Sequence, residues 1–185
     1  MRKIILFIAV VLIISCNQKA TDESYELPVL KTQEDHQAFL QELFEKDQKY
    51  RVAKNKLDRQ SSNSSKVEQQ VSDSIAIYDE LNLLKVRAYL SNQPYPSLKT
   101  YGDENAIAPI MVIHHQPSYT NSRQEFFTVF YKAYQNGDIT PNMFSFYLGR
   151  WYENKHGEYY RMKSPYMIED QIDTLIKELG LEIPE

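Results

Sequence analysis

Only one cysteine, Cys16, occurs in 185 residues, which excludes an intramolecular disulfide and every Cys-x-x-Cys zinc or redox motif. Five glycines leave little for a glycine-rich phosphate cradle, and neither GxGxxG nor GxxxxGK[ST] occurs. No serine sits in a GxSxG elbow, and HExxH is absent. Basic excess is missing too. Lys and Arg number 21 against 25 Asp and Glu, a net charge of −4, which argues against a nucleic-acid partner. What remains is 42% hydrophobic and 25% charged, enough to build the core of one ordinary domain and too apolar for a disordered chain.

The single cysteine sits at the end of an address. Arg2 and Lys3 precede an uninterrupted apolar run of 11 residues, Ile4 to Ile14, which suits a signal-peptide core. A membrane span needs about 20 residues. The run closes on Ile13-Ile14-Ser15-Cys16, which resembles a bacterial lipobox with a bulkier residue than usual at Ile14. The resemblance implies a diacylglyceryl group on the Cys16 thiol, cleavage before Cys16 and acylation of the new amino group. A thiol is the ready nucleophile for that chemistry, and two or three acyl chains hold a bilayer far better than one. An ordinary secretory signal with a stray cysteine, or an N-terminal anchor helix, is the competing reading. On the lipobox reading, residues 1–15 are the signal peptide, 16–31 a polar tether and 32–185 the domain. The mature chain has 170 residues, and loss of Arg2 and Lys3 takes its net charge from −4 to −6. Asn17 after the cysteine favours the outer membrane, by analogy with the enterobacterial sorting rule.

Past the tether, apolar periodicity and capping signals predict a mostly α-helical single domain of about six helices. Thr32 and Asp35 form a capping-box-like start for a helix over 33–58, with Phe39, Leu43, Phe44, Tyr50, Ala53 and Leu57 at helical spacing. A second helix is expected over 66–91, on a stripe of Val67, Val71, Ile75, Tyr78, Leu81 and Ala88. Pro94, Pro96 and Gly102 read as a turn-rich connection. Ala106 to His115 reads as a short buried helix kinked at Pro109, with a strand through Ile110–Ile113 as the alternative. Further helices are expected from Ser122 to Asn136, stopped by Gly137, and from Thr140-Pro141 to Asn154. Glu158 to Lys163 reads as extended or turn. Ser164-Pro165 opens a last helix with Ile168, Ile172, Leu175, Ile176 and Leu179, ended by Gly180.

Several short motifs follow one another along these elements: Asp47-Gln48-Lys49-Tyr50-Arg51, Asp79 with Asn82, Tyr101-Gly102, Ile113-His114-His115, Leu148-Gly149-Arg150 and Gly157-Glu158-Tyr159-Tyr160. Their order resembles an uncharacterised bacterial helical family of secreted or lipid-anchored proteins. Its pattern runs DQxxR, a Gly-Trp-Pro turn, a Gln-His pair, Asp-Arg, then Gln-x-Tyr-Gly-Thr. The resemblance covers residues 38–181. The chain departs from it at Gln93-Pro94-Tyr95-Pro96 in the turn, at His114 before His115, at Gly149 before Arg150 and at Arg161 after Tyr160. The resemblance brings no activity with it.

The motif residues define a candidate polar site: Asp47, Gln48, Arg51, Asp79, Asn82, His115, Arg150 and Tyr160. Asp47 and Arg51, four apart, share a helix face near apolar neighbours, so they read either as pocket lining or as an internal ion pair that sets helix packing. Asp79 and Asn82 meet them if the first two helices form an antiparallel hairpin. His115 is a candidate general base oriented by Asp47 or Asp79, against the plainer reading of a satisfied structural histidine. Adjacent His114 and His115 diverge by about 100° on a helix and make a poor metal pair. No metal or other cofactor is expected. His36 and His156 read as surface residues. Of 23 aromatic residues, 14 fall between Tyr119 and Tyr166. That concentration suits a sugar or peptide groove, or more simply the packing of two helices.

These features lead to the expectation of a lipid-anchored envelope lipoprotein. Its domain faces the periplasm or exterior as a binding or interaction module, with the membrane as one partner and a protein or glycan as another. The alternative is a hydrolase-type enzyme using His115, Asp47, Asp79 and Arg51.

Overall fold

The computed structural model describes residues 25–60, 65–163 and 168–184, so the expected signal peptide, Cys16 and the first part of the tether lie outside the described residues. Among the described residues the fold is all helical, as the periodicity requires, with six α-helices: α1 Gln33–Gln60, α2 Ser65–Asn92, α3 Leu98–His115, α4 Ser122–Gln135, α5 Pro141–His156 and α6 Ile172–Leu179.

The start of α1 is the capping box read from the sequence. Thr32 Oγ1 accepts from the Asp35 N–H (3.1 Å), and Asp35 Oδ2 accepts from the N–H groups of Thr32 (2.9 Å) and Lys31 (3.0 Å). The Thr32 amide, more than the others, holds the Asp35 carboxyl below its ordinary value. Side-chain pairs then set the directions of the long helices. Phe39 stacks on Tyr89, Glu42 accepts from Lys85 and Tyr50 stacks on Tyr78, so α1 and α2 run antiparallel. Gln33 reaches the Thr100 carbonyl and Asp47 reaches His115, so α1 and α3 run parallel. Tyr25, Leu27 and Leu30, at the end of the expected tether, pack on a small cluster of Phe39, Leu40 and Tyr89.

The buried stripe of α2 differs from the expected one. Leu81 and Val67 are exposed, whereas Asp79, Asn82, Leu83, Lys85, Val86 and Tyr89 are buried. Polar residues occupy the inward positions at 79, 82 and 85, so apolar spacing points to the wrong face past Tyr78.

α3 lies at the centre, touching α1, α2, α4 and α5. It begins at Leu98, eight residues before the expected start at Ala106, and holds no strand. The one non-helical residue inside it is Gly102 (φ 74°, ψ 173°), a backbone region that L-residues enter only with strain. Gly102 therefore joins a first turn to the main helix, and a reading that treats glycine as a terminator misses that turn. Pro109 stays within helical geometry. The Tyr95 hydroxyl donates to the Ala106 carbonyl (2.7 Å), in the turn where proline weakens the backbone ladder. Gly102→Ala is expected to cost about 1–3 kcal/mol by forcing a Cβ into that conformation. Nothing lies within 4 Å of the added Cβ, so backbone strain alone would account for the loss. An unchanged urea midpoint would refute this account.

Residues 126–152 build the other half of the core. Phe130 meets Tyr147 edge-on (5.3 Å, 83°), and Tyr134 stacks on Phe144 (4.7 Å, 12°). Phe130, Phe144 and Tyr147 are fully buried. Most of the aromatic concentration thus goes to packing α4 on α5. Thr140 caps α5 by accepting from the Met143 N–H, and Gly157 ends it two residues beyond the expected Asn154. Tyr160–Met162 forms a 3-10 turn in the segment expected as extended or turn. Ser164-Pro165 lies outside the described residues. α6 proper starts at Ile172, after a 3-10 turn at Glu169–Gln171, and buries Ile172, Leu175, Ile176 and Leu179.

Candidate functional site

The antiparallel α1–α2 pair and the C-terminal end of α3 bring five of the expected residues into one node. His115 Nδ1 lies 2.8 Å from Asp47 Oδ2, and Gln48 Nε2 donates to the same oxygen (2.7 Å). Arg51 Nη2 donates to Asp79 Oδ1 and stands 3.6 Å from Asp47 Oδ1. Gln116 Nε2 adds a bond to the Asp79 backbone carbonyl (3.0 Å). A buried carboxylate needs such company, because leaving it unpaired costs several kcal/mol.

The two carboxylates sit in different balances. The Asp47 side chain is almost fully buried, with 1% of its surface exposed; the Arg51 guanidinium stands near Oδ1 and the His115 ring meets Oδ2. Burial raises the Asp79 carboxyl above its ordinary value, and the Arg51 guanidinium only partly offsets this. Because a carboxylate only accepts, His115 must carry a proton on Nδ1, and whenever the ring is neutral Nε2 is its acceptor side. That tautomer suits a general base, and it equally suits a histidine whose task is to clamp α3 to α1.

Three expected members do not join the node. Asn82 is fully buried on α2, but neither atom of its amide has a hydrogen-bond partner among the described residues. Arg150, on α5, pairs with Glu153 (2.9 Å). Tyr160 lies in the turn after α5 and donates to Glu178 on α6 (3.3 Å), because the chain has by then crossed to the other half of the core. His36 is half-buried and bonded to the Tyr89 hydroxyl (3.2 Å), so it is not the free surface residue expected, whereas His156 is exposed.

Two buried neighbours were not among the expected site residues. His114 turns away from His115, stacks on Phe146 of α5 (3.7 Å, 23°) and is 3% exposed. Burial first, then the positive field of His115, Arg150, Arg123 and Arg51, pushes its imidazole down to about 2, so it is neutral across the physiological range. Arg123 is equally buried. Its guanidinium donates to the carbonyls of His114 (2.8 Å) and Gln116 (2.6 Å), pinning the α3–α4 connection. With its amide oxygen facing the guanidinium, Asn154 accepts from Arg123 Nη1 (2.9 Å). Burial lowers the Arg123 guanidinium to about 10, still protonated at neutral pH. The available signal was a charge on the stripe of Phe126, Phe127 and Phe130, where an apolar residue is expected.

Among the described residues no group of three or more His, Cys, Asp or Glu is placed to hold a metal ion, and no helix is long and apolar enough to cross a membrane. Compared with protein-family models, with curated proteins and with solved structures, the chain matches none.

Proposed function

We propose that this protein is a lipid-anchored cell-envelope lipoprotein whose helical domain acts as a binding or interaction module. In this reading the Asp47 node is architecture: it locks α1, α2 and α3 together. The observation that supports it is the mutual engagement of the node's charges. Asp47 faces His115 and Arg51, and Asp79 faces Arg51. The membrane is reached through Cys16, and a protein or glycan partner through the domain. The motif order from Asp47 to Tyr160 supports placing the domain in the uncharacterised bacterial family that it resembles.

The anchor is tested by growing cells with labelled palmitate. Label is expected on the wild-type chain and lost in Cys16→Ser, and label retained by that variant overturns lipidation at Cys16. A hydrolase remains the second reading, favoured by the Nδ1–Asp47 bond that orients His115 as a base would be oriented. Turnover of a cell-wall preparation that disappears in a folded His115→Ala variant would decide for the enzyme. No turnover by either protein is expected.

A further inference from the structure

The start of α4 and the end of α5 line an open pocket of about 150 Å³. That is room for about five water molecules. It is lined by Ser118, Thr120, Asn121, Arg123, Gln124, Trp151, Asn154 and Lys155, with two cationic side chains and no acidic one, in a chain whose net charge is −4. We propose that this cavity is a binding site for a small acidic sugar, a single ring carrying a carboxylate. The proposal deepens the binding-module reading and rests on it.

Three independent observations point to an anion. Arg123 is 3% exposed and protonated, yet no described carboxylate lies within ion-pair distance, and its Nε has no hydrogen-bond partner. Its guanidinium is satisfied only by neutral carbonyl and amide oxygens, and the nearby Glu153 is bound to Arg150. A buried charge left without a counter-charge is costly, and a bound carboxylate would supply one. Second, the cavity opens at the N-terminus of α4, where Asn121 makes no side-chain cap. The first-turn N–H groups and the helix dipole there favour a negative ligand. Third, Lys155 stands on the same wall with no ion pair to a described carboxylate, its Nζ bonded to the Leu179 carbonyl (2.9 Å).

The remaining lining indicates the body behind the carboxylate. Ser118, Thr120, Asn121, Gln124 and Asn154 offer hydroxyl and amide groups that both donate and accept, as a ring bearing several hydroxyls requires. Half-buried Trp151 supplies an indole wall against which the C–H face of a sugar can stack.

Trp151 is the only tryptophan in the chain and lines this pocket, so no other indole contributes to its fluorescence signal. Full-length protein in detergent is titrated with D-glucuronate, D-glucose and N-acetylalanine. Glucuronate is expected to give a saturable change that glucose does not. Arg123→Gln should abolish it, but that variant also loosens the α3–α4 connection. The decisive variant is Gln124→Glu, an exposed position where a like charge should weaken glucuronate about tenfold without lowering the melting temperature. No saturable response to glucuronate, equal binding of glucose, or unchanged affinity in Gln124→Glu would each overturn the proposal. N-acetylalanine binding as tightly as glucuronate would overturn the sugar in favour of a peptide carboxylate. The titration involves no membrane and no turnover, so its failure leaves the outcomes of palmitate labelling and of the His115→Ala assay standing.

Discussion

His114→Gln is expected to flatten the acid limb of the stability profile. The folded protein holds this imidazole neutral down to about pH 2, whereas an unfolded chain protonates it near its ordinary value of 6.5. A base whose folded value is depressed binds its proton in the unfolded state first, so stability falls as pH drops below 6.5 and continues to fall toward the folded value. At 1.36 kcal/mol per unit, the drop from pH 6.5 to 4.5 amounts to about 2–3 kcal/mol for this group. The charges that enforce neutrality come from every side: His115 on its own helix, Arg51 on α1, Arg123 on α4 and Arg150 on α5. Asp79 works against the trend, since its raised value makes the folded state gain a proton more readily as pH falls. Urea denaturation at pH 7 and pH 4.5 measures the difference. The wild type should lose the stated amount relative to His114→Gln, and parallel profiles for the two proteins would remove His114 as the cause.

The second large effect separates the two carboxylates of the node. Asp47→Asn is expected to destabilise the protein by about 3 kcal/mol, the lower end of the cost of breaking a buried ion pair by removing one partner. The lower end applies because Arg51 is partly exposed and keeps Asp79. Asp79→Asn should cost less, because burial already disfavours its charge more than Arg51 supports it. Urea melts of both variants at pH 7 give the ordering. An Asp79→Asn loss equal to or greater than that of Asp47→Asn would mean that Asp79, and not Asp47, is the keystone of the α1–α2–α3 junction.

Much of this arrangement was readable in the residue order wherever local physics dominates. The Thr32–Asp35 capping box, the Thr140-Pro141 start of α5 and the glycine stops at 137 and 180 depend on neighbours within four residues. The Asp47–Arg51 spacing also placed that pair on one face, and the antiparallel α1–α2 pairing brought Asp79 to it. The reading failed where a distant partner overrules local preference. Asp79, Asn82 and Lys85 turn inward on α2, against the apolar stripe expected there. Arg150 and Tyr160 were grouped with His115 by motif order, but α5 and the turn after it lead them to Glu153 and Glu178.

The sequence by itself determined an all-helical domain and the helix starts governed by capping side chains, because these follow from composition and short-range spacing. Only the tertiary structure decided which polar groups meet. It joined His115 to Asp47, left Asn82 outside the network, buried His114 against Phe146, and set Arg123 beside a pocket whose described lining holds no carboxylate. The physical reason is the range of the interactions. A cap or a stripe is set within one or two helical turns, whereas the charge balance of a buried group depends on every helix packed around it.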